Sequence, residues 1–443
     1  MKPYASYKPS GVPWLGDVPS DWSVEKLKFF AKFVGGGTPS KDEPIYWGGE
    51  IPWVSPKDMK RPLIRKTEDY ITSEGLGNSP CTLIPPFSVL TVVRSGILQH
   101  TIPVAINSVP VALNQDMRAV IPDGRVDSRY LAYQIEGCQR ELREEWVKQG
   151  ATVESIEHQR MIDSRLAVPS PDEQQAIAVY LDVETARIDT LIQEKDELIV
   201  LLREWRQSVI AGYTSGATLP RSKKVTGNVH MPEIPSDWSM VRLGKYARIG
   251  NGSTPLKDNA SYWEGGTFPW LNSAVVNRDT VDEGSEYVTD VALRACHLPI
   301  VEPGALLVAL TGQGKTRGQV TVLRIQATIN QHLAYLALDE SRFDFNYLFW
   351  TLTGMYAALR MVSDGQGGTK GALTCDDLAR FEVPMPSLSL QRDIAKAVSG
   401  ETAKIDGLIA HTNDEITLLK ELRAATIADA VLGRVDVRTA PKQ

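Results

Sequence analysis

The one segment of this sequence that invites a chemical reading on spacing alone is 311–316, TGQGKT, which follows an apolar run as a phosphate-binding loop would. The pattern GxxxxGK[ST] needs glycine five residues before Gly314, and Ala309 stands there. The residues that follow, RGQVTVLRI, read as a strand, whereas phosphate sits on the N-terminus of a helix. Nucleotide binding is therefore not expected. A second segment, IPPF at 84–87, has the prolines and aromatic of the Asn-Pro-Pro-Tyr/Phe box of amino-methyltransferases, but Ile84 stands where asparagine would hold the target amino group. No glycine-rich cofactor loop accompanies it. The six histidines are dispersed, the carboxylates show no metal or nuclease spacing, and the four cysteines occur singly without CxxC. No catalytic centre, metal site or disulfide framework is expected, and a reducing compartment fits.

The same loops suit binding better than reaction. Gln313, Lys315 and Arg317 lie among glycines on a loop that could enter a DNA groove, where Arg makes paired bonds to guanine and Gln to adenine. Arg94, Ser95, Gln99 and His100 stand at the aligned place earlier in the chain. A solvated hairpin accounts for any one of these residues equally well. Gln115 and Gln331 follow Asn114 and Asn330 just after apolar strands; contact with base edges or phosphates competes there with amides that tie down a turn, and their matched placement favours the turn. Gln149 and Thr152, and Gln366, Thr369 and Lys370, occupy glycine-containing loops, while Lys57 and Asn272 follow a repeated Pro-Trp. These are divided between DNA contact and loop solvation. Trp53 and Trp270 themselves have apolar neighbours and are expected in cores.

Alignment of distant loops is possible because the chain repeats itself. Residues 19–42 reappear at 235–258, with 12 of 24 columns identical. The offset, 216 or 217, carries Asn114-Gln115 onto Asn330-Gln331 and then runs ungapped from Thr152/Thr369 to Gly216/Gly433. A period this long marks a duplicated domain with its connector rather than a solenoid. Two similar modules suit a target with two similar parts, of which DNA with two half-sites is the commonest.

Each copy ends in a proline-free helical stretch, 172–212 and 389–432, with Gly212 and Gly433 near its C-terminus. Positions 177, 181, 184, 188, 191, 195, 198, 202, 205 and 209 follow the 4/3 spacing of a coiled-coil seam, and eight of the ten are apolar. Forty residues of helix extend about 60 Å, so the two helices are expected to lie together as a spacer; separate surface helices, each on its own domain, are the competing reading. The segments before them contain strand-like runs (88–93, 305–310, 320–325) and helical stretches (129–148, 346–362), so each module is mixed α and β. Residues 214–228, TSGATLPRSKKVTGN, have the composition of an exposed linker. Net charge is −6, but residues 172–215 carry 4 basic against 9 acidic groups, while 1–171 carry 20 against 20 and 216–387 carry 16 against 17. Any basic surface is local, and strong unspecific phosphate attraction is not expected. The polar start, MKPYASYKPSG, and the absence of any run near ~18 apolar residues argue against an export signal or membrane span.

Together these residues resemble the specificity subunit of Type I restriction-modification systems. The resemblance rests on 7–16 (YKPSGVPWLG), 19–27 (PSDWSVEKL), the Gly-Gly-Thr-Pro turn at 36–39, 51–58 (IPWVSPKD), Asn114-Gln115 and 169–178 (PSPDEQQAIA), and it covers both copies. It implies an α+β chain of two similar mixed α/β target recognition domains, 1–170 and 216–387. They are joined in a pseudo-twofold manner by long helices in 171–215 and 388–443 that form an antiparallel coiled coil. It implies a bipartite double-stranded DNA target for this cytoplasmic phage-defence system, and docking of two modification subunits, for which Gln174, Gln175, Ile177, Gln391, Arg392 and Ile394 at the helix starts are the candidates. Restriction/translocase subunits would join them. S-adenosylmethionine, ATP and Mg would belong to those partners, leaving this chain without cofactor or catalysis. The second copy departs from the pattern, since 230–235 lacks the Trp14 segment and Ser389-Leu390 replaces Asp172-Glu173. A protein-binding scaffold that does not touch DNA is the alternative.

Overall fold

The computed structural model describes residues 2–148, 153–312, 314–364 and 371–439. It divides into two compact units, Met1–Asp196 with Asp414–Gln443, and Glu197–Asn413. The duplication in sequence is a duplication in topology. In unit 1 a five-stranded sheet runs Ala31–Gly35, Met117–Pro122, Val89–Val92, Val104–Asn107, Leu63–Ile64 in spatial order. Unit 2 repeats that order with Ala247–Asn251, Leu333–Leu338, Leu306–Ala309, Val320–Leu323, Thr280–Val281. Each unit adds a three-stranded sheet around the repeated Pro-Trp, on Trp47–Val54 in unit 1 and Phe268–Leu271 in unit 2.

The central strands are buried along their whole length because cores lie on both faces of the sheet. Val89 and Val120 face the core built with the helices, while Leu90, Val92, Met117 and Ala119 face the core shared with the smaller sheet. This explains why SVLTVV and ALLVAL are apolar without alternation. The helical stretches expected at 129–148 and 346–362 are each two helices in sequence, Ser128–Gly137 with Gln139–Trp146, and Phe345–Gly354 with Tyr356–Asp364.

The long helices are Pro171–Thr214 and Leu388–Val431. Each begins in one unit and ends in the other. Within unit 1 they run antiparallel, since Asp189 pairs with Arg423 (2.8 Å) and Lys195 with Glu415 (2.6 Å). Within unit 2, Arg206 pairs with Asp406 (2.9 Å). This is the repeat image of the first pair, because Asp189/Asp406 and Arg206/Arg423 are matched positions. The buried stripe of the first helix differs from the heptad seam read in the sequence. Leu198 and Trp205 are 39% and 51% exposed, whereas Ile199 and Ile210, outside that seam, are buried; Leu202 is buried within it. An α-helix turns once per 3.6 residues and drifts about 20° per heptad from a 3.5 repeat, so over the three heptads from Ile177 the drift reaches about 60°, more than half of the roughly 100° between neighbouring residues, and the inward position passes from 198 to 199.

The segment with linker composition is also structured. Lys223–Val225 pairs with Glu233–Pro235 in the register of Tyr7–Pro9 with Asp17–Pro19, so Lys223 faces Pro235 as Tyr7 faces Pro19. The ends of the described chain meet in unit 1, where Tyr7 OH donates to the Gly433 carbonyl (3.1 Å) and Lys2 bridges to Asp436.

Candidate nucleic-acid interface

Antiparallel pairing gathers the candidate loops. Gly35 lies opposite Arg118, and Val92 opposite Met117. The turn after Gly35, the loop after Val92 and the Asn114 turn before Met117 therefore leave the same end of the unit 1 sheet. Asn251 opposite Ala334 and Ala309 opposite Leu333 do the same in unit 2. The helix Ser128–Gly137 and the start of the long helix follow from the other end, beyond Pro122.

At the loop end, the Gly-Gly-Thr-Pro turn and the Asn-Gln turn are built as one piece. Thr38 Oγ1 donates to Gln115 Oε1, and Thr254 Oγ1 to Gln331 Oε1 at 2.6 Å. Asn114 Oδ1 accepts from the Asp116 amide (2.5 Å) and Asn330 Oδ1 from the His332 amide (3.0 Å), so the asparagines hold the turn while the glutamines stay exposed. Only glycine fits behind them, since a Cβ on Gly36 would lie 1.9 Å from the Asn114 carbonyl oxygen and one on Gly252 1.7 Å from that of Ile329. Trp53 and Trp270, both buried as expected, donate their indole N–H to the carbonyls of Gly37 (3.0 Å) and Ser253 (3.1 Å). Asn114 N–H donates to the Val54 carbonyl and Asn330 N–H to that of Leu271, both at 2.9 Å, which brings the residues after the Pro-Trp strands to this end. Lys57, 3.9 Å from Glu68, is exposed there; Asn272 caps a short 3-10 helix by accepting from the Ala274 amide (2.9 Å).

In the longer loop of unit 1, Arg94, Gln99 and His100 are exposed. Arg94 Nε donates to Asp116 Oδ1 (2.7 Å), Ser95 caps Gly96–Gln99, and the Gln99 carbonyl accepts from Arg143 (2.6 Å). Beside it the Arg118 guanidinium, held below its ordinary pKa by burial, meets His158; burial and that neighbouring cation lower the imidazole pKa in turn.

The corresponding loop of unit 2 is tied to the helix Tyr356–Asp364. Tyr356 OH donates to the Lys315 carbonyl (2.8 Å) and Arg360 to that of Gly314, leaving the Lys315 side chain exposed. Arg317 corrects the expectation outright: it is only 5% exposed, and its guanidinium donates to the Gly371 carbonyl. Gln149, Thr152, Gln313, Gln366, Thr369 and Lys370 lie outside the described residues. The threonines, Asp116, Tyr356 and Arg360 were not foreseen as supports, although Thr38 and Thr254 were visible as identical columns of the repeat.

The helix-start candidates require a larger correction. Gln174 and Gln391 are fully buried, and Ile177 and Ile394 belong to the cores. Gln174 accepts from the Asp127 amide (2.7 Å) and donates to the carbonyls of Arg125 (3.1 Å) and Pro169 (2.9 Å). Gln391 does the same with Asp344 (2.9 Å), Arg342 (2.9 Å) and Pro386 (3.0 Å). An amide can accept and donate at once, and here it joins the helix start to the loop before the neighbouring helix. Only Gln175 and Arg392 of that set face solvent. Among the described residues no group of three or more His, Cys, Asp or Glu could hold a metal, and no helix is long and apolar enough to cross a membrane.

The family described as Type I restriction modification DNA specificity domain matches residues 19–199 and 235–418. The chain belongs to that family, as a specificity subunit. Over 430 residues it is 24% identical to the Type I restriction enzyme MjaIX specificity subunit of Methanocaldococcus jannaschii, covering 96% of this chain and 95% of that one. To the EcoR124I/EcoR124II specificity subunit of Escherichia coli it is 38% identical over 205 residues, 46% of this chain and 47% of that one. The fold matches the HsdS subunit from Thermoanaerobacter tengcongensis with a TM-score of 0.54 at 17% identity, covering 94% of this chain and 98% of that one. A chain of a solved type I R-M system matches with a TM-score of 0.68 at 17% identity, covering 94% and 99%.

Proposed function

We propose that each unit reads one half of a bipartite double-stranded DNA target through its loop end, with recognition domains at 1–170 and 216–387 and the conserved helical parts at 171–215 and 388–443. Two modification subunits carrying S-adenosylmethionine, and restriction/translocase subunits using ATP and Mg, supply the chemistry in the cytoplasm; this chain supplies none. The observation that carries the reading is the convergence of exposed donors on one end of each sheet. Gln115 and Gln331 are held identically in both units, so they cannot distinguish two half-sites and suit contact with the sugar-phosphate backbone. Arg94, oriented by Asp116, and Lys315 differ between the units and suit base edges. Docking of partners is supported by a duplicated apolar pair on the long helices. Leu201 and Trp205 are 61% and 51% exposed, and the matched Leu418 and Leu422 are 63% and 49% exposed.

Mapping methylated adenines in DNA exposed to the assembled complex identifies the two half-sites. Arg94→Ala and Lys315→Ala are then each expected to weaken binding by about 1–3 kcal/mol, and to relax specificity in one half-site only, a different one for each variant. Equal loss at both half-sites, or no shift of a bipartite duplex in a gel, overturns the assignment.

A further inference from the structure

At the opposite end of the unit 2 sheet from the reading loops lies a cleft of about 430 Å³ whose rim is cationic. Topology fixes its place. Gly304 N–H donates to the Leu323 carbonyl (2.8 Å), so Arg324, which follows, sits at the sheet end away from Lys315. The helix Phe345–Gly354 and the first turns of the second long helix close the other walls with Trp350, Arg392 and Lys396. Arg324, Arg392 and Lys396 are exposed, and Arg324 rests on the Phe345 ring at 5.2 Å. Two carboxylates share the lining, and both are engaged. Asp344 caps its helix by accepting from the Tyr347 amide (3.0 Å) and lies 3.8 Å from Arg392, while Asp279 lies 3.7 Å from Arg206. Lys396 and Arg324 have no ion-pair partner among the described residues, so the cleft keeps an excess of positive charge on an apolar floor.

The matched end of unit 1 has another chemistry. Gln175 and Val179 replace Arg392 and Lys396, and Asp182, in place of Ser399, is taken by Arg129 (3.0 Å) and Tyr133 (2.8 Å). Val179 and Val183 are each 48% exposed. Phe87, 68% exposed, holds a left-handed φ of 62° where the repeat has Gly304 at 90°. A bulky residue in that conformation is strained, and the fold demonstrably accepts glycine there.

We infer that the cleft bounded by Arg324, Arg392 and Lys396 receives an acidic segment of a modification subunit, and that, beside the apolar pair common to both copies, the two modification subunits meet unlike surfaces, ionic on unit 2 and apolar on unit 1. The inference rests on the reading of this chain as the subunit that docks two such partners. A protein segment is favoured over nucleic acid because the cleft faces away from the loops that carry the DNA reading, and because its floor is aromatic. Pairing of exposed charges weakens with salt, since the screening length falls from about 10 Å at 0.1 M to about 3 Å at 1 M, while apolar docking does not weaken.

The test uses the full chain copurified with its modification subunits, with composition read by native mass spectrometry and affinity by sedimentation. Wild type is expected to hold two modification subunits at low salt and one at high salt. Arg392→Glu with Lys396→Glu is expected to hold one at low salt, with the second bound at least tenfold more weakly, and Arg392→Gln with Lys396→Gln is expected to fall between. Thermal melting of each variant separates loss of docking from loss of fold. Two subunits retained at unchanged affinity by the charge-reversed, folded variant overturn the inference, as does loss of DNA binding with both subunits still present. A wild type that binds no modification subunit at any salt removes the docking reading itself.

Discussion

Gln174 and Gln391 show how much one side chain can decide. Each makes three hydrogen bonds to main-chain groups from a position with no solvent exposure. Truncating a residue that satisfies buried polar groups costs about 1–3 kcal/mol for each group left unpaired. With three such groups left unpaired, Gln174→Ala is expected to lower stability by about 3 kcal/mol or more, read as an earlier urea midpoint, whereas a residue serving only a partner leaves the midpoint where it was. The sequence displayed these glutamines as polar residues at the mouth of a helix, which is how surface contacts also look. Nothing in a one-dimensional pattern records that both faces of an amide are in use. Trp53 and Trp270 were legible for the opposite reason, because apolar neighbours on a strand announce burial without reference to distant partners.

Elements were legible where periodicity is local and misplaced where it is tertiary. Both long helices, the central strands and their duplication follow from spacing and repeat. The strand Lys223–Val225 does not, since two lysines and a valine, all exposed, carry no alternation and take their place through main-chain pairing. The shift of the buried helical face from Leu198 to Ile199 has a similar origin: heptad counting assumes 3.5 residues per turn, from which a 3.6-residue turn departs steadily along the helix. The junction between Ser23–Lys26 and His158–Asp163 gives an element-scale prediction. Asp163 holds Lys28 (2.6 Å) and Lys26 (3.1 Å), and the bonds from Lys28, Gln159 and Lys26 keep its carboxyl well below the usual carboxylate range. A carboxyl with depressed pKa stabilises the folded state above its unfolded value of about 4 and loses that contribution as the pH falls further. Wild type and Asp163→Asn are therefore expected to differ in Tm at pH 5–7 and to converge toward pH 2; a difference that persists unchanged at low pH rules out the carboxylate as its source.

For the whole molecule, the feature of greatest consequence is that each long helix starts in one unit and finishes in the other, with the pair Asp189–Arg423 repeated as Asp406–Arg206. Four residues added to both helices, within 190–204 and at the matched 407–421, lengthen each by about 6 Å, and the gap tolerated between half-sites is expected to change by on the order of one or two base pairs at 3.4 Å each. Selection of methylated sites from a library of variable gaps measures it, and an unaltered gap denies the helices their role as a ruler. The helices also set the order in which the chain can finish folding. Unit 1 holds residues 2–196, yet its core includes Ile427, Ala430, Val431, Leu432 and Val437. Unit 2 is formed by Glu197–Asn413. During synthesis at about 5–20 residues per second, the core of unit 1 is therefore completed only after every residue of unit 2 has been made.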